Sequence, residues 1–115
     1  MIRMKKAILR EIPANAIHDL TALIKEDDEI SVGREDGNRI QLGKGLSLKL
    51  VEEKHLLTVS RQHATISYDE KFYIRDHSTN GTRINEKRIS IERDYLRNGD
   101  EIWFGNYGPV VYEES

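Results

Sequence analysis

The chain has 115 residues, enough for one modest hydrophobic core and too few for two. Charged residues make up 33% and hydrophobic ones 37%, a globular balance that excludes a largely disordered chain and a membrane-inserted one. The 18 Lys and Arg against 20 Asp and Glu leave a formal charge of -2, so no chain-wide basic field exists for nucleic acid; without cysteine there is no disulfide, thiolate nucleophile or sulfur-ligated zinc.

In chain order, Met1 to Lys6 is basic, but the apolar run that follows, Ala7-Ile8-Leu9, is too short for a signal peptide, and a cytoplasmic location is expected. Ala7 to Ile12 reads as a strand closed by Pro13, which cannot donate to a ladder. Ala16, Ile17, Leu20, Leu23 and Ile24 recur at spacings of three and four, which predicts a short amphipathic helix within residues 14–25; the competing reading is a strand through Leu20 to Ile24. Glu26-Asp27-Asp28 is an acidic turn. Ile30-Ser31-Val32 reads as a strand delivering Gly33-Arg34, and Ile40-Gln41-Leu42 as another, ended by a turn at Gly43-Lys44-Gly45 that lacks the spacing of a nucleotide-binding loop. The alternation of Leu46, Leu48 and Leu50 up to Val51 predicts a half-buried strand, followed by a polar link over 52–55.

Leu56 to Val59 leads into Ser60-Arg61-Gln62-His63. Ala64 to Tyr68 and Phe72 to Arg75 are two β-rich runs on either side of the hairpin loop Asp69-Glu70-Lys71. The second run enters Ser78-Thr79-Asn80-Gly81-Thr82, where Asn-Gly is a strong turn signal. Thr82 to Asn85 is expected to pair with Arg88 to Ile91 across Glu86-Lys87, Asn98-Gly99-Asp100 turns into Glu101 to Phe104, and Val110 to Tyr112 is a last strand. Short strands with a turn signal every eight to twelve residues or so indicate an all-β sandwich or barrel. The loops at Ser60 and Ser78 are rich in hydroxyl, amide and guanidinium groups, a donor set suited to a phosphate carried on another protein.

Gly33-Arg34, Ser60-Arg61-Gln62-His63, Ser78 to Thr82 with Asn85, and Asn98 to Gly105 together resemble the forkhead-associated (FHA) domain, in that family's order. The resemblance implies a β-sandwich of about eleven strands whose loops at one end bind phosphothreonine peptides. It implies that Arg34, Ser60 and Arg61 are the phosphate ligands, that Asn80 bonds the peptide main chain, and that Thr79 positions or contacts the phosphothreonine. Gly33, His63 and Gly81 would support the site, His63 by tying loops together and Gly81 through its backbone freedom. The whole of 1–115 reads as one such domain, with an N-terminal extension over 1–28 and an extra loop or hairpin over 43–55, because the connection from Arg34 to Ser60 is longer than usual in the family. Arg39 and Glu86 also depart from the family pattern, Glu86 standing where glycine is usual.

The leading expectation is a non-enzymatic module that reads phosphothreonine on a Ser/Thr kinase or its substrate, with no metal or cofactor and neither nucleic acid nor membrane as a partner. A phospho-independent assembly or oligomerisation domain on the same scaffold is the alternative. A small hydrolase using Ser60 and His63 is a third reading; His55 and His77 lack the spacing of metal ligands.

Overall fold

Side chains at alternate strand positions share one face of a sheet, so apolar alternation turns directly into core. The protein is described by a computed structural model over residues 5–90 and 92–115. In β1 (Ala7–Glu11) the inward positions Ala7, Leu9 and Glu11 are all buried. One sheet runs in the order β2 (Ala16–Asp19), β1, β11 (Tyr107–Glu114), β10 (Glu101–Phe104), β7 (Thr82–Ile84) and β8 (Lys87–Arg88). The other runs β4 (Ile40–Gln41), β3 (Ile30–Gly33), β5 (Ala64–Tyr68), β6 (Phe72–Asp76) and β9 (Asp94–Tyr95). The all-β sandwich of eleven strands matches the expected fold class. Neighbours are antiparallel except for β3 and β4, which are parallel and join Val32 to Ile40. Leu9, Ile30, Val32, Ile66, Ile74, Ile102, Phe104 and Val110 fill the space between the sheets, each fully buried. Such a side chain contributes about 1.5 to 3 kcal/mol by leaving water.

Two local expectations are corrected and one is narrowed. The short helix expected within residues 14–25 is present but begins only at Leu20, and the competing strand through Leu20 to Ile24 is absent. Asn15 takes a left-handed φ of 50°, which turns the chain so that β2 pairs back onto β1 with Arg10 opposite Ile17. Only then does α1 (Leu20–Glu26) begin, its start fixed by Asp19, whose carboxylate accepts the Ala22 N–H at 3.2 Å. Ala16 and Ile17 fitted a helical period but belong to the hairpin.

The strand expected over Leu46 to Val51 is also absent. Gly43, Gly45 and Leu48 all adopt positive φ (67°, 89° and 62°), which prevents an extended run. A loop instead leads into α2 (Val51–Lys54) and a 3-10 turn over His55–Thr58. The Glu53 carboxylate gathers the Leu50 N–H and the Ser47 N–H and hydroxyl, and those bonds hold its pKa below the ordinary 4.5. Leu56 folds beneath Gly43, where a Cβ would lie 2.5 Å from its methyl group. The segment after Gly43 is therefore built on loop and helical turns, with no hairpin.

The β7–β8 register also differs by position. Ile84 pairs with Lys87, so the turn is Asn85-Glu86, with Asn85 at φ 50°; Ile91, expected in the partner strand, lies outside the described residues, as do the first four residues of the basic run Met1 to Lys6. The Asn85 side chain clamps this turn by donating to Asp100 at 3.1 Å and accepting the Glu101 N–H at 3.0 Å. Glu86 is tolerated because the residue with left-handed backbone is Asn85. Among the described residues no helix is long and apolar enough to cross a membrane.

Candidate phosphate-binding site

The site grows from the end of β3. Gly33 lies so close to the next loop that an added Cβ would sit 2.1 Å from the Arg61 carbonyl oxygen. Its missing side chain lets two loops run side by side, and the backbone bonds record this. The Arg34 N–H donates to the Ser60 carbonyl at 3.1 Å, the Glu35 N–H to that of Arg61 at 3.3 Å, and the His63 N–H to that of Val32 at 2.8 Å. Asn38, missed in the sequence, bridges the same loops by donating its amide to the carbonyls of Arg61 (2.6 Å) and Glu35 (2.9 Å).

Arg34 is half-buried and donates its Nε to the Val59 carbonyl at 3.1 Å. This fixes the plane of the guanidinium and leaves its two terminal nitrogens as a fork, the shape that matches two phosphate oxygens. The Ser60 Oγ accepts the Thr79 N–H at 3.1 Å, so its own proton is free to donate elsewhere. Asn80 donates its amide to the Thr58 carbonyl at 2.8 Å, which leaves its Oδ1 to accept. Thr79 and Asn80 are exposed, and so is Arg61, whose backbone is tied down while its side chain faces solvent. The structure thus brings Arg34, Ser60, Thr79 and Asn80 together through direct bonds between their loops, with Arg61 at the edge.

His63 is the hub beneath them. It is fully buried, with Phe104 packed edge-on at a ring separation of 5.5 Å. Its Nδ1 accepts the Ser60 N–H at 3.0 Å and its Nε2–H donates to the Gly81 carbonyl at 3.0 Å, an arrangement only the neutral ring satisfies. Burial pushes its pKa below the ordinary 6.5, although the Gly81 carbonyl and the Asp76 charge oppose that shift. Both nitrogens are engaged, and the bond to Ser60 is to its backbone and not its hydroxyl. Ser60 and His63 are therefore not assembled as a nucleophile and base.

The Ser78–Gly81 loop is shaped by Asp76, another residue the sequence reading passed over. Its Oδ1 accepts the Ser78 N–H (3.1 Å), the Ser78 hydroxyl (2.6 Å) and the Thr82 hydroxyl (2.9 Å), while the Ser78 Oγ accepts the Gly81 N–H at 2.7 Å. An Asp two residues before a Ser at the end of a strand is the available signal for such a turn. Gly81, at φ 89°, also offers its carbonyl to the Gly105 N–H at 2.9 Å, joining the Asn80 loop to the end of β10. Thr58 completes the frame, its Oγ1 accepting the Asn106 N–H at 2.7 Å and donating to the His55 carbonyl at 2.6 Å. His77 meets the Thr65 hydroxyl at 3.1 Å, and Arg39 is committed to Glu26 and Asp27.

The FHA domain model matches residues 30–105, and the chain belongs to the FHA domain family, a family of interaction modules. Solved structures share the fold. Mycobacterium tuberculosis EmbR in complex with a low-affinity phosphopeptide superposes with a TM-score of 0.72 at 23% identity, over 98% of this chain and 25% of that one. The N-terminal FHA domain of S. cerevisiae Rad53p in complex with a phosphothreonine peptide gives 0.68 at 20% identity, over 96% and 94%. The FHA domain of an Arabidopsis thaliana hypothetical protein gives 0.71 at 25% identity, over 96% and 86%. The chain thus spans a quarter of the length of EmbR and nearly all of the isolated Rad53p domain. A comparison with curated proteins finds no match.

Proposed function

We propose that this chain binds phosphothreonine on a partner protein and recruits that partner only after a Ser/Thr kinase has acted on it. The observation that carries this reading is the pair of pre-oriented donors, the Arg34 fork and the Ser60 hydroxyl, on loops locked to each other by backbone bonds. A phosphothreonine brings about -1.5 to -2 charges and three strong acceptor oxygens. Arg34 takes two of these, Ser60 a third, and Arg61 adds a cation at the rim. The Asn80 Oδ1 accepts a peptide N–H, and Thr79 positions the loop through its own N–H. The Rad53p and EmbR complexes support this reading by analogy of fold. A Ser/Thr kinase or its substrate is the natural partner, and a cytoplasmic setting accords with it.

Magnitudes make phosphate the deciding group. A hydrogen bond to a charged group contributes about 1.5 to 3 kcal/mol, so three of them supply most of the roughly 8 kcal/mol of a micromolar complex. Burying the threonine methyl adds only about 0.8 kcal/mol, roughly fourfold over serine. Calorimetric titration of matched phosphorylated and unphosphorylated threonine peptides tests the proposal, with Arg34→Ala and Ser60→Ala as controls. Binding confined to the phosphorylated peptide and lost in both variants is expected; equal binding throughout would overturn it.

A further inference from the structure

The groove between the two sheet edges is not used by the phosphate site. Its volume is about 610 Å³, and it lies between β8, the edge of the six-stranded sheet, and β9, the edge of the five-stranded one. Lys87, Arg88, Arg93 and Arg97 line it, against two carboxylates, Asp94 and Asp100. Asp100 keeps its charge while accepting from the Asn85 amide at 3.1 Å and the Arg97 N–H at 2.8 Å, so both carboxylates count against the cations. Arg93 is committed, paired with Asp69 and stacked on Tyr73 at 4.5 Å from the ring centre. The exposed side chains of Lys87, Arg88 and Arg97 give the groove a positive balance, in a chain whose formal charge is -2. At one end it adjoins the Asn80-Gly81 loop, since the Arg88 guanidinium packs on Gly81, 2.9 Å from where a Cβ would stand.

We propose that this groove takes a run of acidic residues in the same partner segment that places its phosphothreonine on Arg34 and Ser60. The inference rests on the phosphothreonine reading, because that anchor brings an extended chain to Arg88. An extended segment advances about 3.3 Å per residue, so a few residues from the anchor suffice to enter the groove. The occupant is a string of carboxylates and not one dianion, because the free cations come from separate elements, Lys87 and Arg88 from β8 and Arg97 from the turn before β10. Complementary charges of this exposed kind add modest affinity and salt-sensitive selectivity.

The test uses fluorescence anisotropy with a phosphothreonine peptide bearing neutral flanks. Two further peptides carry four glutamates beyond a short spacer, one on the N-terminal and one on the C-terminal side, and unphosphorylated forms of each are included. One acidic phosphopeptide is expected to bind about fivefold tighter than the neutral one, and the gain should shrink at high salt. Lys87→Ala with Arg97→Ala should abolish the gain while leaving the neutral phosphopeptide within about twofold; the charge reversals Lys87→Glu and Arg97→Glu should invert it. Equal affinity for neutral and acidic phosphopeptides, or a gain that survives in both double variants, overturns the groove assignment alone. Failure of the wild type to bind the neutral phosphopeptide overturns the phosphothreonine reading and the groove with it. Displacement of the acidic phosphopeptide by a single-stranded oligonucleotide at lower concentration than by the peptide itself would also overturn it, identifying a nucleic-acid surface.

Discussion

Two polar networks hold this sandwich together, each around a buried ionisable group, and they differ in what they leave unsatisfied. The His63 network joins the loops at Ser60 and Gly81 and is itself saturated, but the groups it supports, the Arg34 fork and the Ser60 hydroxyl, keep free donors at the surface. The Glu11 network consumes everything it contains. The Glu11 carboxylate is buried and accepts the Gly43 N–H at 2.8 Å, the Tyr107 hydroxyl at 2.6 Å and the His18 ring. Burial alone would raise its pKa, and these three donors outweigh burial and hold it below the ordinary 4.5; burial and the same carboxylate push the Tyr107 phenol upward. It ties β1, β2 and β11 to the loop after β4, and so links the two sheets. Saturated polar groups in a core fasten; polar groups with spare valences at a rim bind.

That contrast breaks first at Glu11. Glu11→Leu should cost about 3 kcal/mol in urea denaturation, because two donors and a histidine lose their acceptor inside the protein, yet phosphopeptide affinity of the folded fraction should stay unchanged. Arg34→Ala should do the reverse, weakening phosphopeptide binding roughly 100-fold in calorimetry with an unmoved urea midpoint. If both variants lost stability and binding together, the separation of the two networks would be wrong. Gly33→Ala lies between them. Its Cβ has no room beside the Arg61 carbonyl, so the loops must part, and at least a tenfold loss of phosphopeptide affinity is expected from the displaced Arg34.

The networks also separate in pH. His63 has a folded pKa below 6.5, so the unfolded chain takes up the proton first as pH falls; its contribution is whole above 6.5 and declines below it. Glu11 has a folded pKa below 4.5, so its contribution is whole above 4.5 and is lost as pH falls through the folded value. Thermal midpoints measured from pH 8 to 3 should fall in two steps, and His63→Gln should remove only the first. The smallest expected effect is a gain. A Cβ at Gly37 meets nothing within 4 Å, so Gly37→Ala should stabilise by about 0.5 kcal/mol through the unfolded chain, measured as a higher urea midpoint with unaltered binding.

Much of this was legible in the residues. Period-two alternation marked β3, β5 and β10, and strand-rich composition bounded by turn signals marked β1 and β6. Gly33-Arg34, Ser60 and Asn80-Gly81 stood out as donors and turns whose chemistry suits phosphate. Residues 16–17 and 46–51 misled because periodicity counts apolar spacing and is blind to backbone sign. Asn15 and Leu48 at positive φ, with Asp19 and Glu53 as local caps, decided those segments. Glu11, His18 and Tyr107 gave no signal, since Glu11 lies 96 positions from Tyr107 and only the packed sheets bring them together.

The sequence by itself determined the strand-rich class and the identity of the donors, because side-chain alternation and functional groups are local properties. Only the tertiary structure decided which of those donors stay available. It spends the His63 nitrogens on backbone, locks Asn80 to Thr58 and holds Arg34 through its Nε, because bonding between loops distant in sequence depends on where the sandwich places them.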